Sequence, residues 1–127
     1  VLVPRHERII IFGPIEHHHI FRAMRKADAL IMPFRLNELI KSVDPVKIYD
    51  YIYSCKPVIV VGYGETAKFE EFIHLYRTPE EYVMKLEMLV AGNLHIKKYG
   101  DECLSYIRNH TWPARVEQML SVINALK

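Results

Sequence analysis

Apolar runs and polar breaks alternate at short intervals along the chain. Val1–Val3 reads as a short strand, and Arg8–Phe12 (RIIIF) as a stronger one that stops at Gly13-Pro14. His17–Lys26 has helical spacing, with Ile20, Met24 and Ala27 on one face. Ala29–Phe34 (ALIMPF) is a predicted strand, Pro45–Ser54 a helix and Val58–Val61 (VIVV) a strand. Glu65–Ile73 is predicted helical and Leu75–Arg77 a short strand. Thr78 is a good N-cap, Pro79 suits the first helical position, and Glu81 completes a capping box. Gly92-Asn93 ends that helix. Ile96–Asn109 is predicted helical with a weak point at Gly100. Thr111 caps a last helix in which Trp112, Val116, Met119, Leu120, Ile123 and Leu126 share one face, with Trp112 as a packing anchor.

The β-branched runs are continuous rather than alternating. Strands of that kind are buried on both faces, which predicts an open parallel sheet of three or four strands covered by helices. The fold class expected is therefore α/β, as a single domain over residues 1–127. The chain begins at Val1 rather than Met, which predicts a piece of a longer protein, truncated at the N-terminus.

Composition narrows the function classes. Half of the residues are apolar (50%) and a quarter charged (25%), which fits a folded chain rather than a disordered one. No apolar run approaches the ~18 residues of a membrane span, and no signal peptide is visible. The formal charge of +2 does not ask for a nucleic-acid partner. Cys55 and Cys103 lie far apart in sequence without metal-ligand spacing, which predicts a reducing, cytoplasmic setting.

The stretch from Ser42 to Gly62, SVDPVKIYDYIYSCKPVIVVG, concentrates the candidate chemistry. Asp44 is placed to cap the helix, and Pro45 suits its first position. Free N–H groups at such a start favour a phosphate or diphosphate, and Lys47 adds a full positive charge. Asp50 lies three residues on, on roughly the same face, where a carboxylate can accept from two ribose hydroxyls. The alternative is a plain helix start with a surface ion pair worth under ~1 kcal/mol. Gly62 and Gly64 follow VIVV in a turn that is either a plain connection or a second piece of the pocket rim. His17-His18-His19 invites a metal reading, but consecutive helical residues point about 100° apart and do not converge, so no metal site is expected. A solvent-facing or inter-domain role suits them better. Glu16 is a favourable charge at the positive end of that helix. Cys103 reads as a core residue.

Residues Ala27–Gly62 resemble the donor-binding half of GT-B glycosyltransferases of the retaining group-1 (GT4-like) kind, closest to bacterial polysaccharide and teichuronic-acid-type transferases. The elements carrying the resemblance are Ala27-Asp28, Pro33-Phe34, Pro45, Lys47, Asp50-Tyr51, Cys55-Lys56-Pro57 and Val58–Val61. The match is looser over Ile9–Lys26 and at Trp112. It implies the Rossmann-like C-terminal half of a two-domain enzyme, with the N-terminal acceptor domain outside this chain. It also implies that Asp50 binds the donor ribose, and that backbone near Val43 and Asp44, with Lys47, faces the diphosphate or sugar. Arg35 and Asn37 would line the pocket. The implied reaction is retaining, metal-independent transfer from a UDP- or GDP-linked sugar to a carbohydrate or lipid-linked acceptor in cell-surface polysaccharide synthesis. No cofactor and no nucleic acid enter it. Arg22, Arg25 and Lys26 would be a solvated face or a means of staying near the inner face of the membrane. Taken alone, the chain would bind a donor without transferring the sugar.

Three departures stand against the family pattern. Asp50 replaces the usual Glu, Ser42 occupies the place of the first Glu in E-x7-E, and Cys55 replaces a helix-ending Gly. The alternative function is a non-catalytic or degenerate α/β module that binds a nucleotide or a partner.

Overall fold

The computed structural model describes residues 5–126. Its elements run α1 (His17–Lys26), β1 (Leu30–Met32), α2 (Glu38–Lys41), α3 (Lys47–Tyr53), β2 (Val58–Val61), α4 (Gly64–Ala67), β3 (His74–Tyr76), α5 (Pro79–Val90), α6 (Gly100–Arg108) and α7 (Trp112–Ala125). The strands form one parallel sheet in the order β1-β2-β3. Leu30 stands opposite Val58, and Ile59 opposite His74. The α/β class and the parallel open sheet expected from the β-branched runs are present. The expected Val1–Val3 strand lies outside the described residues.

The central strand β2 is buried at every position. Val58 and Val60 enter one core with Met24, Leu30, Met32, Ile48, Ile52, Phe69, Ile73 and Cys103. Ile59 and Val61 enter a second, smaller core with Tyr76 and Leu94, closed by Tyr82, Leu86 and Leu89. A strand alternates its side chains between faces, so a continuous VIVV run serves two cores at once. β1 is covered on one face only: Leu30 and Met32 are buried, whereas Ile31 is exposed.

Helix punctuation follows the sequence closely. Thr78 accepts from the Glu81 N–H at 3.2 Å, and Thr111 accepts from the Ala114 N–H at 3.4 Å. The Glu81 carboxylate accepts from the Arg77 N–H at 2.7 Å, one residue before the cap, so the capping box is displaced rather than closed on Thr78. Gly92, at φ +75°, ends α5 in a Schellman turn: the Asn93 N–H donates to the Met88 carbonyl and the Gly92 N–H to that of Leu89. Cys55 ends α3 in the left-handed conformation, at φ +52°, and its N–H donates to the Ile52 carbonyl.

Several expected elements differ. Arg8–Phe12 is not a strand; Ile9–Phe12 are exposed and pair with nothing in the sheet. A β-branched run becomes a strand only where an edge accepts it. The helix expected over Glu65–Ile73 stops at Ala67 and continues as turns. The one expected over Ile96–Asn109 starts only at Gly100, whose φ of +37° is a turn value and not a mid-helix one. The apolar face of the last helix is not buried, and Trp112 is 76% exposed instead of anchoring it. Arg115 ties α7 to the body instead: its guanidinium donates to the Tyr49 hydroxyl at 3.0 Å. Tyr49 belongs to an aromatic group with Phe69 and Tyr106, at ring separations of 5.1 and 6.3 Å. Tyr49 and Tyr51 pack on the core, whereas Tyr53 is exposed and meets Phe21 edge-on.

Among the described residues no buried side-chain polar atom lacks a hydrogen-bond partner. Thr66 is fully buried. Its hydroxyl donates to the Val61 carbonyl at 2.9 Å and accepts from the Tyr63 N–H at 2.8 Å. No helix among the described residues is long and apolar enough to cross a membrane.

Two outcomes follow from these positions. Cys55→Gly relieves the left-handed strain of a side-chain-bearing residue and is expected to stabilise the chain by about 0.5–1 kcal/mol, read as a raised urea midpoint at unchanged slope. His74 in β3 donates from Nε2 to the His95 carbonyl at 2.7 Å. Burial holds its pKa below the usual 6.5, and the Lys97 and Lys85 charges add to this against the opposing pull of the His95 carbonyl. The unfolded chain therefore takes up the proton first, so stability is lost as pH falls below about 6.5. Urea midpoints measured from pH 7.5 to 5.5 should decline, and the decline should shrink in His74→Gln.

Candidate functional site

The connection after β1 and the turn after β2 meet at the carboxyl edge of the sheet, where open parallel sheets bind ligands. Two side chains of the second segment, Tyr63 and Lys68, hold them together. The Tyr63 hydroxyl donates to the Val43 carbonyl at 3.0 Å. The Lys68 ammonium donates to the carboxylates of Asp44, at 2.8 Å, and Glu65, at 3.2 Å. Burial alone would lower the Lys68 pKa, but those two carboxylates more than offset it and leave the ammonium above its usual value. Burial, with the negative charges of Glu65 and Asp44, raises the Tyr63 phenol.

Asp44 therefore does not cap the helix. Its carboxylate is taken by Lys68, and α3 begins two residues beyond Pro45, with Val46 in the cap position. The backbone turns through Pro45 and Val46 with the Val46 N–H donating to the Asp44 carbonyl at 3.0 Å.

Lys47 and Asp50 are brought together as the i,i+3 spacing predicts, with Nζ to Oδ2 at 3.0 Å. Their side chains are 40% and 26% exposed, so the pair is partly screened by water and worth little by itself. Asp50 also borders an open hollow of about 550 Å³ walled by Phe21, Arg25, Tyr49, Tyr53 and Ile107. Along α3 the order is thus an aromatic hollow, a carboxylate, an ammonium and then the sheet edge with its second ammonium.

The remaining candidates separate into engaged and open groups. The Asn37 side chain accepts from the Ile40 N–H at 2.8 Å as the cap of α2. Arg35 is exposed in the same connection. Gly62 donates its N–H to the Tyr76 carbonyl at 2.7 Å, and a Cβ there would stand 3.4 Å from that oxygen, at van der Waals contact. Gly64 opens α4 with free space where a Cβ would stand. Lys68, with Tyr63 and Glu65 as its neighbours, is the group that sequence reasoning missed. Glu65-x-x-Lys68 is a visible helical charge pair. Its third partner, Asp44, is distant in sequence and appears only on folding.

Comparison of the chain with family models, curated proteins and solved structures finds no match in any of the three.

Tyr63→Phe removes the hydroxyl that clamps the Val43 carbonyl while keeping the ring. It is expected to cost about 1 kcal/mol and to speed amide hydrogen exchange selectively over residues 42–46. Uniform acceleration across the chain would mean that the clamp is not local.

Proposed function

We propose that this chain is the donor-binding part of a retaining glycosyltransferase and holds a nucleoside-diphosphate sugar along α3. The observation that carries the reading is the partnered Lys47 and Asp50 beside an aromatic hollow, next to the carboxyl edge of a parallel sheet. Asp50 would accept from the ribose hydroxyls, and the base would lie in the hollow against the rings of Phe21 and Tyr53. Lys47 would turn from Asp50 to the diphosphate, with Lys68 as a second cation once Asp44 yields it. α3 is only seven residues long, so these two full charges would outweigh its short dipole. Stabilising the leaving diphosphate by fixed cations is what a transfer without metal requires. The acceptor, a carbohydrate or lipid-linked molecule, would come from outside these residues.

A second reading has its own support. Val43, Asp44, Lys47 and Asp50 are all engaged within the chain, as a module without catalytic use would have them. That favours a degenerate nucleotide- or partner-binding domain as the alternative.

A ligand-observed NMR titration of the chain with UDP, GDP and their sugars tests the nucleotide site on which the donor reading rests. Saturable binding of one nucleotide diphosphate, lost in Asp50→Ala with the fold intact, is the expected outcome. Absence of binding to any of them would overturn the donor reading for this chain and leave the non-catalytic module.

A further inference from the structure

We propose that Glu16, His18 and His19 form a surface site for Zn2+, with three protein ligands and the remaining position open to water. Three histidines in a row do not converge on one ion, and the structure does not ask them to. It divides them. The His17 ring turns to Phe21, one helical turn on, and meets it edge-on at 5.9 Å and 88°. His18 and His19 lie together, with ring centres 3.9 Å apart. Glu16 takes the place of the third histidine.

Glu16 is able to do so because it stands outside the helix. It occupies the cap position of α1 with an extended backbone, φ −61° and ψ 142°, and its side chain makes no capping hydrogen bond. Its carboxylate instead approaches His18, Oε2 to Nδ1 at 3.5 Å. One ligand atom from each of the three residues lies within 4.8 Å of the other two, and all three side chains are exposed. Ligands about 2.0–2.1 Å from a tetrahedral zinc stand roughly 3.3 Å apart, so closing the set requires only rotation of exposed side chains. Two imidazoles and one carboxylate are a donor set that zinc takes, and one that Mg2+, which prefers all-oxygen shells, does not. A dication at a helix N-terminus is opposed by the dipole, at an exposed site by up to about thirtyfold in affinity, twice the exponent of a single charge. The three ligands together outweigh that, and the negative charge of Glu16 offsets it directly. The site uses none of the residues of the donor reading and is independent of it.

Calorimetric titration of the full chain with ZnCl2, beside MgCl2, tests the site. One equivalent of Zn2+ should bind, with no Mg2+ heat. Glu16→Gln, His18→Ala and His19→Ala should each weaken Zn2+ binding by roughly tenfold or more, with unchanged circular dichroism. His17→Ala should change it less than about twofold, because that ring is engaged with Phe21. Equal losses from all three histidines, no loss from Glu16→Gln, or more than one equivalent bound would overturn the proposal and mean unselective histidine binding.

Discussion

The double burial of β2 is the constraint on which the rest of the structure depends. Val58, Ile59, Val60 and Val61 lie at the middle of the sheet with cover on both faces. Each face then needs its own layer of helices, because a parallel sheet leaves no solvent-tolerant side. Ile48, Ile52, Phe69 and Cys103 cover one face, and Leu94 with the inner side of α5 covers the other. The two layers are unequal. The first core collects residues from α1, α3 and α6 and from the turn after α4, while the second rests on α5 and the segment after it. The exposed Ile31 marks where the thinner layer ends.

That inequality decides where polar chemistry gathers. The helices of the thicker layer bring α1, α3 and α6 side by side, and the hollow beside Asp50 is the gap between them. The loops after β1 and β2 are forced together at the carboxyl edge because their strands are neighbours in the sheet. Lys68 and Tyr63 bind those loops by charge and hydrogen bonding rather than by apolar packing. Such contacts are individually weak and exchangeable, which suits a place where an incoming anion would compete for the same cations. The apolar interior holds the frame, and the polar edge remains adjustable.

A backbone detail links the two. Cys55 sits in the left-handed conformation where α3 turns back toward β2. The turn is required by the short Lys56-Pro57 link into a strand whose register is set by both neighbours. The geometry persists although the residue is not glycine, since the buried strand beyond it contributes far more than the roughly 1 kcal/mol of local strain. Cys103, distant in sequence, comes close enough to this turn for burial first, and the neighbouring Cys55 thiol second, to push its own thiol up to about 11.

Much of the frame was legible in the sequence because it rests on local rules. The Val58–Val61 strand, the His17–Lys26 helix and the Thr78 and Thr111 caps follow from short-range sterics and hydrogen bonding. The Lys47–Asp50 pair follows from helical spacing. What the sequence could not decide depends on contacts between distant segments. Arg8–Phe12 has the composition of a strand but pairs with neither outer edge of the sheet. The last helix has an apolar face and is held instead through Arg115 and Tyr49. Asp44 has the form of a cap and is drawn away by Lys68, a stronger partner because it carries a full charge. By itself the sequence determined which segments are helix and strand wherever periodicity and capping agree. Only the tertiary structure decided which faces are covered and which charges meet, since burial and ion pairing are properties of the folded neighbourhood.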